Sequence, residues 1–484
     1  MNYKMMGRFI AQILAIGAVF MLPALGVSLY YGESGAVRAF LLTLAIFAVF
    51  IAALMLTCRR APSAFYAREG LVCVGVSWIV LSLISCLPFW FSREIPRYID
   101  ALFEIVSGFT TTGASILPAV EPLSKGILYW RSFSHWLGGM GVLVFLLAFA
   151  PGSEQGQGFP MHLLRAESPG PNVGKLVPKM RKTAVILYLL YIVLTIANII
   201  FLVIGKMPLF EAVCTAFGTA GTGGFGVKND SIASYSPYLQ NVTTVCMTLC
   251  GVNFSCYNLL RSGNFRSGFK DEELRLYLGI LVGSVLLIVW DLRGFYPTLE
   301  ETVRHAAFQV SSIMTTTGYA TTDFGQWPAF SQTLLLVLMV IGACAGSTGG
   351  GLKCGRALLL FKSLRRNIHK VLHHRRVQSI RINGQVMDEK VLDSANAYLS
   401  AYVIILFMSF LVISLDGFSV GTNFSAVLAC YNNIGPGLEA VGPACNYGAY
   451  SWLSKLVLIM DMLAGRLEIF PILVLFSRSA WKQH

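Results

Sequence analysis

Two identical tetrads, Thr-Thr-Thr-Gly, end at Gly113 and Gly318. Each is preceded by about ten mostly apolar residues, and Phe103 and Phe308 stand ten residues before the two glycines. Two further stretches share this character: PLFEAVCTAFGTAGTGGFG at 208–226 and GTNFSAVLACYNNIGPG at 421–437. The chemistry available here is that of the main chain. A short helix directs the negative end of its dipole along its axis. A glycine then lets the chain turn back with its carbonyls facing inward. Four such segments around one axis make a ring of oxygens with no formal charge. Such a ring can replace the hydration shell of a potassium-sized cation. The residues assigned to it are Thr111, Thr112 and Gly113; Ala220, Gly221, Thr222 and Gly223; Thr316, Thr317 and Gly318; and Asn433, Ile434 and Gly435. The fourth stretch runs from Phe424 to Gly435, one residue longer, and the second from Phe210 to Gly223, three longer, with Gly221 as the competing choice there. The alternative, that TTTG is only a tight turn, fits one copy better than four related copies.

Two more features could act on an ion path. The sequence GACAGSTGGGLKCG at 342–355 carries six glycines, which a regular helix tolerates poorly at about 1 kcal/mol each. Irregular backbone inside a membrane must be buried in protein or line a wet cavity. Gly346, Ser347, Thr348, Gly349, Gly350 and Gly351 therefore read as a loop that can obstruct ions, close helix packing being the alternative. Arg466, in VLIMDMLAGRLEIFPILVLF, is an intramembrane charge. Such a charge faces a pore or a partner. It reads as part of a constriction with the glycine loop, or as the partner of Asp461 or Glu468. GTGGFG at 221–226 and GSTGGGLK at 346–353 only imitate nucleotide-binding loops. His369, His373 and His374 read as a solvated basic face; His135, Arg131 and Trp136 as packing residues. No catalytic triad, carboxylate pair or zinc spacing stands out, so an enzyme is not expected.

The elements that must position these residues are membrane helices. Hydrophobic residues make up 55% of the chain and charged ones 13%, about half the share of a soluble domain. The 11 cysteines sit mostly in apolar runs and read as small buried side chains. Ten segments are long and apolar enough to cross a bilayer: 9–31, 38–58, 70–91, 126–150, 183–205, 238–260, 274–291, 331–361, 395–415 and 450–476. The first is too long for a signal peptide core and reads as a retained helix. More than two thirds of the 37 Lys and Arg residues fall in 1–8, 58–69, 151–182, 261–275, 353–390 and 477–484. The positive-inside rule makes these segments and both termini cytoplasmic. The net charge of +13 then reports topology, and no nucleic-acid partner is needed.

The fold expected is an all-α integral membrane protein with about ten transmembrane helices. An N-terminal helical hairpin (1–69) precedes four pseudo-symmetric helix–pore loop–helix repeats around a central pore, at 70–152, 180–264, 272–365 and 391–478. Asp100 and Ser419 are candidate N-caps of two pore helices. All four loops enter from one side, which argues against an inverted-repeat transporter. With its single key glycine per loop, the chain resembles the Trk/Ktr/HKT superfamily of potassium transporters, and its extra N-terminal pair resembles the TrkH type. The resemblance implies potassium uptake across a bacterial cytoplasmic membrane, with the glycine loop and the arginine of GRLEIF acting as a gate. It further implies a homodimer on a cytoplasmic ring resembling TrkA, docked on the basic loops 151–182 and 353–390. Any nucleotide (ATP, ADP or NAD) would sit on that ring, and no cofactor is expected on this chain. Gly113, where sodium-transporting members often carry serine, favours potassium over a sodium-permeable or sodium-coupled alternative.

Overall fold

The computed structural model describes residues 2–59, 67–139, 180–261, 270–373 and 378–481, with Gly141 and Gly268. It is helical almost throughout. The sheet present is a hairpin of Arg381–Ile382 with Gln385–Val386, in the connection between the third and fourth repeats.

Among the described residues, six helices are long and apolar enough to cross a membrane: Tyr3–Tyr30, Ser34–Thr57, Arg68–Phe91, Ala184–Ile204, Glu272–Asp291 and Glu389–Asp416. They are the N-terminal pair and the outer helix of each repeat. The inner helices differ from expectation. Lys125–Gly139, Pro237–Cys250, Ala329–Ile341 and Trp452–Arg466 have 13 to 15 residues. At 1.5 Å per residue each spans about 20 Å, less than the ~30 Å hydrocarbon core. The last three resume after a break as Phe254–Arg261, Cys354–Leu372 and Phe470–Phe476. The continuation of the first, 142–150, lies outside the described residues, as does most of the basic loop 151–182.

Continuous spans were expected at 238–260 and 450–476, and both are interrupted. In the second repeat Gly251 ends the helix, and the Asn253 side chain accepts the Ser255 N–H at 2.8 Å where the next begins. In the fourth, Glu468 and Ile469 adopt φ of 55° and 68°, and Pro471 sits in the first turn of the next helix. Left-handed φ is costly for a β-branched residue, and proline favours a helix start over a continuation.

The pore helices are Tyr98–Phe109, Leu209–Gly221, Leu299–Met314 and Val420–Tyr431. Ser419 caps the fourth as expected, accepting from the Thr422 N–H at 3.0 Å. Asp100 does not cap the first. It lies inside the first turn, where its carboxylate takes Lys455 Nζ at 2.6 Å.

The four repeats close into a ring. The inner helix of repeat one packs on the pore helix of repeat two, that of two on three, that of three on four, and that of four on one. A recurrent tie orients the inner helices. Glu94 accepts the Ser124 N–H (3.1 Å), Asp291 the Ser331 N–H (3.2 Å) and Asp416 the Ser451 N–H (2.7 Å). Each joins the outer end of an outer helix, or the turn just beyond it, to the start of the inner helix. Negative charge is favourable there. The N-terminal pair packs on repeat one, and Glu33 at its turn accepts the Lys125 and Gly126 N–H groups.

Candidate functional site

Each pore helix ends in the same turn. The N–H groups of Thr112, Gly223, Thr317 and Ile434 reach back to the carbonyls of Ser107, Gly218, Ser312 and Ala429 at 2.8–2.9 Å. This is the six-to-one bond of a Schellman ending. The residue before each donor is left-handed: Thr111, Thr222, Thr316 and Asn433 have φ of 55–59°. The residue after each donor is a left-handed glycine: Gly113, Gly224, Gly318 and Gly435 have φ of 75–97°.

The key glycine of the second repeat is therefore Gly224. The expected Gly223 occupies the place of Thr112, and Gly221 ends the helix. Phenylalanine misaligned the repeat because Cys214 and Ser425 stand where Phe103 and Phe308 stand, ten residues before Gly224 and Gly435. The recurrent pattern is Thr or Asn, any residue, then Gly. Ala220 lies within the pore helix.

The four turns touch in sequence around a ring. A Cβ on Gly113 would overlap the carbonyl oxygen of Gly223; on Gly224, that of Thr317; on Gly318, that of Ile434; on Gly435, that of Thr112. The cycle closes after four steps, so the four carbonyls surround one axis. Only glycine fits positions so close and so twisted. On the outer side, the same four glycines line one cavity, with Arg131 and Tyr447 in its wall.

Below the ring lies the segment between Ile341 and Cys354. It is a loop, as the glycines predicted, with Gly342, Gly346, Gly351 and Lys353 at φ of 71–75°. It is pressed against the ring: the Gly350 N–H donates to Thr316 Oγ1 at 2.6 Å. A Cβ on Gly350 would clash with the Asn432 carbonyl, and one on Gly349 with that of Thr315. Ser347 bonds within the loop, to the Cys344 carbonyl at 2.6 Å. Arg466 bridges three repeats. It donates to the carbonyls of Thr348 (2.9 Å), Gly139 (2.7 Å) and Gly138, and to Thr111 Oγ1 (3.3 Å). Glu468 pairs with Arg356, and Asp461 accepts from Ser409 at 2.6 Å.

A model of the TrkH family, described as "Cation transport protein", matches residues 36–267 and 296–483. The Trk system potassium uptake protein TrkH of Salmonella typhimurium is 36% identical over the full length of both chains. TrkG of Escherichia coli K12 is 33% identical over 96% of this chain and 95% of its own. The chain belongs to the TrkH family. A crystal structure of the potassium transporter TrkH from Vibrio parahaemolyticus superimposes on it with a TM-score of 0.89, at 32% identity and with complete coverage of both chains.

Several residues of this TrkH-family site carried no signal in the sequence reading. Arg131, read as packing, forms an ion pair with Glu104 at 2.6 Å, both side chains almost wholly buried. It also donates to the Gly226 carbonyl at 3.0 Å and lies 3.5 Å from the centre of the Phe225 ring. Glu104 takes the Ile116 N–H at 3.0 Å and the Ser115 hydroxyl at 2.9 Å. The pair thus braces the strands leaving the ring in repeats one and two. His135 backs the same region. Its ring lies 4.1 Å from that of Phe225, and a Cβ on Gly223 would strike it. Glu273, on the third outer helix, accepts the N–H groups of Ala345 (2.6 Å) and Gly355 (2.8 Å) on one oxygen, fastening both sides of the loop. Such pairs join residues 11 to 95 positions apart, and only the fold brings them together.

Proposed function

We propose that this chain takes up potassium across the cytoplasmic membrane through the carbonyl ring at Thr112, Gly223, Thr317 and Ile434. The observation that carries this reading is the closed cycle of four glycine-to-carbonyl approaches. It makes a cage of oxygens without a carboxylate, suited to a weakly hydrated monovalent ion. The four pore helices point their negative ends at it. The "Trk system potassium uptake" names of the full-length relatives agree. The glycine loop and Arg466 lie on the cytoplasmic side of the ring and act as its gate. A guanidinium there opposes a passing cation.

The remaining features follow the same reading. Both termini are cytoplasmic. The chain works as a homodimer on a cytoplasmic nucleotide-binding ring resembling TrkA, and the nucleotide belongs to that ring. Helix Cys354–Leu372 offers the docking surface: it leads out of the loop and exposes Arg365 and Lys370.

Uptake of potassium and of sodium, measured in a host lacking its own transporters, tests the assignment. Wild type should restore growth at low potassium, and Gly113→Ser should lower the preference for potassium over sodium. Equal uptake of both ions by wild type would favour a sodium-permeable member of the family. An unchanged preference in a well-expressed Gly113→Ser protein would remove the ring from this role.

A further inference from the structure

We propose that the gate and the permeating cation compete for the same oxygens, the hydroxyls of Thr111 and Thr316, so that the ion itself favours opening. This rests on the reading of the loop as a gate. The two threonines hold the same left-handed position in repeats one and three, which face each other across the four-membered ring. Each precedes a carbonyl-ring residue, and each hydroxyl is met from the loop side. Thr316 Oγ1 accepts the Gly350 N–H at 2.6 Å, and Thr111 Oγ1 accepts Arg466 at 3.3 Å. A cation leaving the ring inward meets these oxygens next.

The two occupants exclude each other. An N–H dipole and a guanidinium present positive charge to the place where a cation would sit, and like charges repel strongly away from water. Asn433, at the equivalent position of repeat four, turns its side chain to the fourth inner helix, its Oδ1 lying against Gly465. Its Oδ1 is buried and accepts no hydrogen bond. Its Nδ2 is spent on Thr112 Oγ1 (3.0 Å) and the Met462 carbonyl (2.9 Å). The closed latch thus holds the two hydroxyl oxygens that a cation just below the ring would need.

The test uses the full chain in lipid nanodiscs and proteoliposomes, with no cytoplasmic partner. Thr316→Val keeps the shape and removes the acceptor. It should raise partner-free potassium flux about five- to tenfold, the worth of one hydrogen bond. A residue that served only as a ligand would lower flux instead. Thr333→Val, the same change on the exposed side of the third inner helix, should leave flux unchanged. Deletion of residues 345–348 tests the gate by itself. If the deletion leaks and Thr316→Val does not, the latch is overturned and the gate stands. If the deletion does not leak, the gate falls and the latch with it. Hydrogen exchange of the wild-type segment 342–353 decides even if the valine variant fails to fold. Exchange should be faster in potassium chloride than in choline chloride, and equal exchange in the two salts overturns the proposal.

Discussion

Gly223 and Gly224 are neighbours with different tasks. A side chain on Gly224 would strike the Thr317 carbonyl in the ring, whereas one on Gly223 would strike His135 behind it. Gly224→Ser should therefore reduce potassium preference as Gly113→Ser does. Gly223→Ala should act on folding, seen as lower yield and melting temperature. The brace behind the ring makes a second prediction. Glu104→Gln leaves Arg131 buried without its counter-charge, which costs about 3–5 kcal/mol. A lower melting temperature and weaker ion preference should appear together, since the pair holds both the protein and the ring. At this scale the sequence was readable wherever backbone geometry demands one residue type. Twisted, crowded positions accept only glycine, so TTTG announced itself twice. It misled at Gly224 because phenylalanine was used as the ruler. Phenylalanine fills space, and Cys214 and Ser425 fill the same place in other repeats. Glu104, Arg131 and Glu273 gave no signal because their partners are distant in the chain.

Among elements, the outer and inner helices divide the work. The outer helices are long and apolar, the first with a break at Cys86, and their lengths were legible from hydropathy. The inner helices of repeats two to four are short and interrupted. Only the glycine-rich break of repeat three was legible, because composition alone forbids a helix there. The breaks at Gly251 and at Glu468–Pro471 depend on one or two residues inside apolar runs, which a hydropathy window averages away. The loop of repeat three is held by Glu273 from the neighbouring outer helix. Glu273→Ala strips the acceptor from the N–H groups of half-buried Ala345 and buried Gly355, the buried one alone worth about 1–3 kcal/mol. The expected outcome is faster hydrogen exchange across 342–355 and higher partner-free flux. Unchanged exchange would mean that the loop is fixed by its contacts with the ring alone.

Across the whole molecule, one arginine joins what the chain order separates. Arg466 of repeat four bonds backbone or side-chain oxygens of repeats one and three. Arg466→Ala should therefore raise basal potassium flux without a cytoplasmic partner while leaving the ion preference unchanged, because the ring is built from other residues. Flux below wild type at normal expression would give Arg466 a structural role instead. Fourfold closure was predictable from the number of repeats and their common side of entry. Which repeat touches which was not, because adjacency around an axis leaves no trace in a linear pattern. One contact has reach beyond its place. Arg356, in the first turn of the helix Cys354–Leu372, is paired with Glu468, two residues past Arg466. That helix runs out to a basic surface, so a push or twist applied there is delivered at its inner end to the loop it continues and, through Glu468, to the segment carrying Arg466. It is a lever with two arms, and a displacement of its far end moves the loop and the Arg466 segment in a single stroke.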